Sequence, residues 1–261
     1  MNDLLPAVLL VDDEEEILEF LERMLRSRYT VLTATGGDEA LFILKAEAVQ
    51  LVVSDVMMPG MSGMELCRTI KSTMEHAHIP VILLTAKNTI QAKVEGLELG
   101  ADAYIEKPFS KELLLAQMAS LIANRNMLRD YFASSPLVHI KSIAHSKADE
   151  RFLEHLNETI LRKIEDVDLD VEHLARIMAM SRITLYRKIK AISNLTPLEF
   201  INITRLKKAA EYLAEGDYKI YEVADMVGFS SQSNFARNFH KQFGMTPTDY
   251  MHKKQAEAKR V

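Results

Sequence analysis

"LVVSDVMMPGMSG", residues 51–63, decides how the first half of the chain reads. An apolar run of strand length ends on a single carboxylate, Asp55, and Pro59-Gly60 then turns the chain sharply. A carboxylate at the tip of a buried strand is costly unless it is partnered there. The surrounding sequence repeats the pattern. "AVLLV" (7–11), "TVLTA" (30–34), "LVVS" (51–54), "PVILLT" (80–85) and "DAYI" (102–105) predict five strands. Between them run helical stripes: Ile17, Leu18, Leu21, Met24 and Leu25 recur at i, i+3, i+4, i+7 and i+8. Strands alternating with helices predict a parallel sheet covered on both faces. Such sheets carry their sites at the carboxyl ends of the strands.

The predicted strand ends hold a chemically coherent set. The first ends in Asp12-Asp13, the third in Asp55 and the fourth in Thr85-Ala86, and the fifth leads into Lys107-Pro108. One polar residue at a strand end is ordinarily a solvated group; one set on strand after strand is a site. Clustered carboxylates repel, and a hard divalent cation relieves the repulsion. Oxygen-only ligands favour Mg²⁺. Asp55 can then attack phosphorus to form an aspartyl phosphate. Lys107 supplies positive charge to the phosphoryl oxygens and Thr85 a hydroxyl donor. Gly63 lets the next helix start close to the acid.

"VDD" (11–13), "SDVMMPGMSG" (54–63), "LLTA" (83–86) and "GADAYIEKPF" (100–109) closely resemble the motifs of response-regulator receiver domains, over about residues 6–123. The resemblance implies a doubly wound, flavodoxin-like α/β fold with sheet order 2-1-3-4-5. It implies that Asp55 is the phosphoacceptor and that Asp12, Asp13, Asp55 and the backbone carbonyl of Met57 surround Mg²⁺. Thr85 and Tyr104 would form a switch pair, and Lys107-Pro108 would be a cis peptide, which proline alone makes accessible. A rival reading is a phosphatase of the haloacid-dehalogenase type. It needs an acid two residues beyond the nucleophile, where this chain has Met57.

The chain has 261 residues, 48% hydrophobic and 26% charged, an ordinary globular balance. No apolar run is long enough to cross a bilayer, and the N-terminus lacks a secretory pattern. The single cysteine, Cys67, reads as a half-buried helix residue and fits a reducing compartment. Together these predict a cytoplasmic protein without direct membrane contact. Residues 1–123 hold 10 Lys and Arg against 19 Asp and Glu, a net −9; residues 124–261 hold 22 against 18, a net +4. An acidic half joined to a basic one points to two units with different partners, the basic one a nucleic-acid candidate.

The second half contains one unit twice. "LTPLEF" (195–200) and "MTPTDY" (245–250) match at an offset of 50 residues, as do Asn194 and Gly244, both suited to a left-handed helix C-cap. Thr-Pro-x-acid is a capping box with proline at the first helical position. Upstream, "ARIMAMSRITLYRKI" (175–189) parallels "ADMVGFSSQSNFARNF" (224–239), with one extra residue in the second turn. Each copy reads helix, small-residue turn, serine, helix. A long helix, "PLEFINITRLKKAAEYLAEG" (197–216), joins them and buries Phe200, Ile203, Leu206, Ala210 and Leu213. A rigid connector of this kind can hold two reading helices about one DNA turn, ~34 Å, apart.

Residues 150–254 resemble an AraC/XylS-type DNA-binding domain, carried by "MSRITLYRKIK" (180–190) and "DYKIYEVADMVGFSSQSNFARNFHKQFGMTPTDY" (217–250). The family implies two helices in successive major grooves of double-stranded DNA. Candidate base readers are Arg182, Thr184, Tyr186 and Arg187 in the first and Ser231, Gln232, Ser233 and Arg237 in the second. Leu185, Ile189, Phe235 and Phe239 read as core. Lys188, Lys190, Lys207, Lys208 and Lys241 read as phosphate contacts or solvated charges. His139, His145 and the "HAH" at 76–78 read as solvated rather than metal-binding.

The expected organisation is a receiver at 1–124, a helical extension and linker at 125–149, and a DNA-binding domain at 150–261 with motifs at about 171–192 and 220–243. The expected function is non-enzymatic: phosphorylation-dependent, sequence-specific transcription regulation in a bacterial two-component system. A cognate histidine kinase, DNA and RNA polymerase are the expected partners, with a homodimer on phosphorylation. Switching would reshape the face built by the receiver's fourth and fifth helices and its fifth strand. An alternative places the same two units at the C-terminal end of a membrane-bound hybrid sensor kinase.

Overall fold

A computed structural model describes residues 5–73, 75–86, 98–134, 143–144 and 146–258. The chain divides into two compact units, Met1–Met127 with His145–Asp149, and Leu128–Ala144 with Glu150–Val261.

The first unit is built on five parallel strands, β1 (Ala7–Val11), β2 (Thr30–Ala34), β3 (Leu51–Asp55), β4 (Val81–Thr85) and β5 (Ala103–Glu106), in the order β2-β1-β3-β4-β5. Side-chain alternation sends each strand's residues to two faces. Val8, Leu10, Val53, Ile82 and Leu84 pack under α1 (Glu15–Leu25) and α4 (Lys111–Ser134), against Leu18, Leu21, Leu25, Leu114 and Met118. Leu9, Val11, Val52, Val81 and Leu83 pack under α2 (Gly37–Ala46) and α3 (Gly63–Ser72), against Ala40, Leu44, Leu66, Cys67 and Ile70. Each fully buried leucine or isoleucine of this kind is worth roughly 1.5–3 kcal/mol. Cys67 is fully rather than half buried, and burial pushes its thiol up to about 11. The expected fourth receiver helix falls largely in residues 87–97, and the linker histidines His139 and His145 also lie outside the described residues.

α4 outruns the sheet and runs on to Ser134, into the expected helical extension. Its Arg125 is fastened to the amino-end edge of the sheet. Arg125 Nη2 donates to Asp102 Oδ1 at 2.7 Å, and Nη1 donates to the His78 carbonyl. Lys71 Nζ donates to Asp102 Oδ2 at 2.6 Å and to the Ile79 carbonyl, and the Val81 amide donates to the same Oδ2. Burial works against charge on Asp102, but Lys71 and Arg125 outweigh it and hold the carboxyl below its usual range.

The second unit is helical: α5 (Lys147–Arg162), α6 (Val171–Ile177), α7 (Arg182–Ser193), α8 (Pro197–Glu215), α9 (Ile220–Met226), α10 (Gln232–Phe243) and α11 (Pro247–Ala258). The repeat is visible in its punctuation. Ser181 and Ser231 cap α7 and α10, and Asn194 and Gly244 end them at φ 59° and 70°. Thr196 accepts from the Glu199 amide, and Thr246 from the Asp249 amide. The turns before Ser181 and Ser231 pass through Ala179 (φ 52°) and Gly228 (φ 73°). That pair is offset by 49 residues and the serines by 50, so the extra residue lies between them, as the sequence predicts.

Candidate phosphoacceptor site and DNA-reading helices

Asp12, Asp55, Thr85 and Lys107 meet at the carboxyl ends of β1, β3, β4 and β5 because these strands end in register: Val11 pairs with Ser54, Asp55 with Leu84, and Thr85 with Glu106. Asp12 is 2% exposed, Asp55 7% and Thr85 0%. Lys107 Nζ lies 2.5 Å from Asp55 Oδ1 and 3.1 Å from Asp12 Oδ2. The remaining oxygens accept backbone amides: Asp12 Oδ1 from Glu14, and Asp55 Oδ2 from Met57 at 2.7 Å. Burial opposes charge on Lys107, yet hydrogen bonds and attraction from Asp55 and Asp12 outweigh it and raise its pKa above the ordinary lysine value. The Lys107–Pro108 peptide is cis, as the resemblance implies.

The turn after Asp55 depends on two glycines. Gly60 has φ 74°. Gly63 packs directly on the strand end, where an added Cβ would fall 1.9 Å from the Asp55 carbonyl oxygen. Ser62 caps α3 in a capping box with Glu65, so the helix begins as soon as the turn is complete.

Asp12 and Asp55 come together, but through Lys107, while Asp13 is exposed. Among the described residues no three acidic, His or Cys side chains are grouped closely enough to hold a metal ion. Three carboxylates without a counter-charge would repel, and the lysine takes the space between two of them. The donor set still suits Mg²⁺, because each carboxylate oxygen has lone-pair capacity beyond its one partner. Tyr104 is half-buried against the α2–α3 side of the sheet, and its Oη is buried with no hydrogen-bond partner among the described residues. Such a hydroxyl costs about 1–3 kcal/mol.

In the second unit, Arg182, Tyr186 and Arg187 are exposed on α7, and Gln232, Ser233 and Arg237 on α10. Leu185, Ile189, Phe235 and Phe239 are fully buried, as predicted. Exposed Ser231 also caps its helix, accepting from the Asn234 amide, and half-buried Thr184 accepts from the capping Ser181 hydroxyl at 2.9 Å. Lys188 is 1% exposed, so it is no phosphate contact; its ammonium lies 5.5 Å from the centroid of the Phe152 ring. Lys207 is half-buried, and burial lowers its pKa to about 8. Lys208 pairs with Glu211 at 2.7 Å, and Lys190 donates to the Asn194 carbonyl. Two outward residues escape a motif-based reading: Ile183, 65% exposed beside Arg182, and Asn234, whose side chain accepts from Asn238. Helical phase alone would have found both.

The response regulator receiver domain model matches residues 8–119, and the helix-turn-helix domain model matches residues 174–253. The chain joins a response regulator receiver domain to an AraC-type helix-turn-helix domain. Its receiver is similar to Response regulator MprA of Mycobacterium ulcerans, 40% identical over 129 residues, which are 49% of this chain and 55% of that protein. Both units are similar to part of Histidine kinase P4 of Formosa agariphila, 35% identical over 247 residues, 95% of this chain and 18% of that protein. The chain thus spans about half or less of these relatives. The receiver also aligns with the receiver domain of a signal transduction histidine kinase from Syntrophus aciditrophicus, at 34% identity and TM-score 0.44, over 46% of this chain and 91% of that one. No helix among the described residues is long and apolar enough to cross a membrane.

Proposed function

We propose that the chain is a phosphorylation-dependent, DNA-binding transcription regulator acting in the cytoplasm. The observation that carries this is the buried Asp55 carboxylate gripped by Lys107 at 2.5 Å in a chain that also bears two capped helix-turn-helix motifs. Asp55 Oδ1 attacks the phosphorus of a kinase phosphohistidine; the new O–P bond forms as the donor's N–P bond breaks. Lys107 passes from the carboxylates to the phosphoryl oxygens, and Thr85 donates its hydroxyl to them. Asp12, Asp13, Asp55 and the Met57 carbonyl would hold Mg²⁺, which supplies charge neutralisation for the transferring group. Tyr104 follows Thr85, biasing an existing equilibrium toward a dimer that reads DNA. Met57 in place of an acid speaks against hydrolysis by a phosphatase mechanism.

A second reading is that these units are the receiver and regulator portion of a hybrid sensor kinase. It is favoured by the histidine kinase relative that aligns with both of them. The chemistry at Asp55 is the same in either case.

The test is incubation of the full chain with Mg²⁺ and a small acyl phosphate. One hydroxylamine-labile phosphoryl group should be gained, and none by Asp55→Asn. Lys107→Ala should impair phosphorylation with Mg²⁺ binding largely intact. Equal labelling of Asp55→Asn would overturn the assignment.

A further inference from the structure

The apolar core of the second unit is in two pieces. One cluster runs from Ile143 to Ile203 and holds the first motif; the other runs from Leu206 and holds the second. They share no buried member among the described residues. Both lie along α8, and the two residues between them, Thr204 and Arg205, are polar yet only 7% and 6% exposed.

Arg205 reaches out of this gap in two directions. Its Nη2 donates to the Asp166 carbonyl, in the loop that precedes the first motif. Gly228, in the turn of the second motif, packs so closely that a Cβ there would meet Arg205 Nη2 at 2.8 Å and the Ile164 carbonyl at 2.3 Å. Ile164, from that same upstream loop, packs on the second cluster. Arg205 Nε is buried with no hydrogen-bond partner among the described residues. The guanidinium is therefore kept at a desolvation cost at the polar seam on α8 between the two clusters. Apolar contact is non-directional and lets surfaces slide, whereas a planar, charged donor fork has a fixed geometry.

We propose that Arg205 is a positioning residue that fixes the angle between the two DNA-reading helices, and so the spacing of the two boxes the protein accepts. The part concerning DNA rests on the function proposed above; the part concerning the helices does not.

Two arms test it. Nitroxides are placed at Ile183→Cys and Ser233→Cys, equivalent exposed positions on α7 and α10, in the full DNA-free chain; native Cys67 is buried and stays unlabelled. With Arg205 the distance distribution should be narrow. Arg205→Met should broaden it about twofold and Arg205→Lys, which keeps charge but loses the fork, by less. A residue that only stabilised the fold would lower the unfolding midpoint and leave the width of the folded population unchanged, which overturns the proposal. If Arg205→Met does not fold, Arg205→Lys decides by the same criterion.

In the second arm, duplexes selected by the wild-type chain from a random pool receive one or two extra base pairs between the boxes. Wild-type affinity should fall about tenfold or more, and that of the Arg205 variants much less. Wild-type indifference to spacing would overturn the positioning role. Failure of the wild type to select any duplex would remove the DNA reading, with the distance measurement still judging Arg205.

Discussion

Gly63 and the Asp55 carbonyl are in such close contact that no side chain fits between them: a Cβ on Gly63 would sit 1.9 Å from that oxygen and 2.9 Å from Ser54 Oγ. The neighbour is backbone of a central strand and cannot give way. Gly63→Ala should therefore cost about 2–4 kcal/mol by overpacking and displace the Asp55 tip from Lys107. Urea unfolding and phosphoryl uptake from an acyl phosphate should both fall. A variant with native stability and full uptake would show that the turn is softer than this contact implies.

In the proposed mechanism Thr85 would carry the link between modification and association. It is fully buried at the end of β4. Thr85→Ala should accept phosphate yet lose self-association by about tenfold, the usual scale of a coupling energy. Sedimentation of both phosphorylated proteins reads this directly, and two identical profiles would sink it.

Asp102 should make the first unit acid-sensitive. Its folded pKa is lowered, so the stability it contributes is present above its unfolded value of about 3.9 and lost as pH falls through the folded value. Asp102→Asn leaves Lys71 and Arg125 buried without their counter-charge and should cost about 3 kcal/mol at neutral pH. Its stability should then change less with acid than the wild type does. Unfolding curves collected between neutrality and pH 3 provide the check; parallel losses would assign acid sensitivity elsewhere.

Ala179 holds φ 52° without being glycine. Ala179→Gly relieves the left-handed strain and should raise stability by about 1 kcal/mol. A lowered thermal midpoint would mean that the alanine methyl contributes more through packing than the strain costs.

Arg187 and Arg237 occupy equivalent places in the two motifs. Each arginine-to-alanine change should weaken specific binding by roughly 1–3 kcal/mol and relax sequence choice in a different box. Lys208→Ala should lower affinity for every sequence and flatten the salt dependence, as a phosphate contact does. Binding to single-base variants at two salt concentrations separates these roles. Uniform losses for both arginines would reassign them to the backbone.

The strand-end chemistry was legible because it lies in residue types at fixed positions: Asp12, Asp55, Thr85 and Lys107 each follow an apolar run. The tandem motif was legible because caps are local, as at Ser181–Thr184 and Thr196–Glu199. What escaped was charge inside. Leu185, Lys188, Ile189 and Ile192 make an ordinary buried stripe, and the phase was readable, but a lysine's type argued for solvent. Asp102 and Arg125 are 23 residues apart, and Arg205 and Asp166 39. No local pattern announces such pairs, because their partners are set by tertiary packing.

The unequal turns of the two motifs bear on how such a protein diverges. Position 228 admits no side chain without striking the Ile164 carbonyl, whereas position 179 already carries one. Mutational drift is thus closed at the second turn and open at the first. A lineage built on this frame can exchange the residue in its first turn, whereas its second turn should stay glycine however far the exposed faces of the two reading helices diverge.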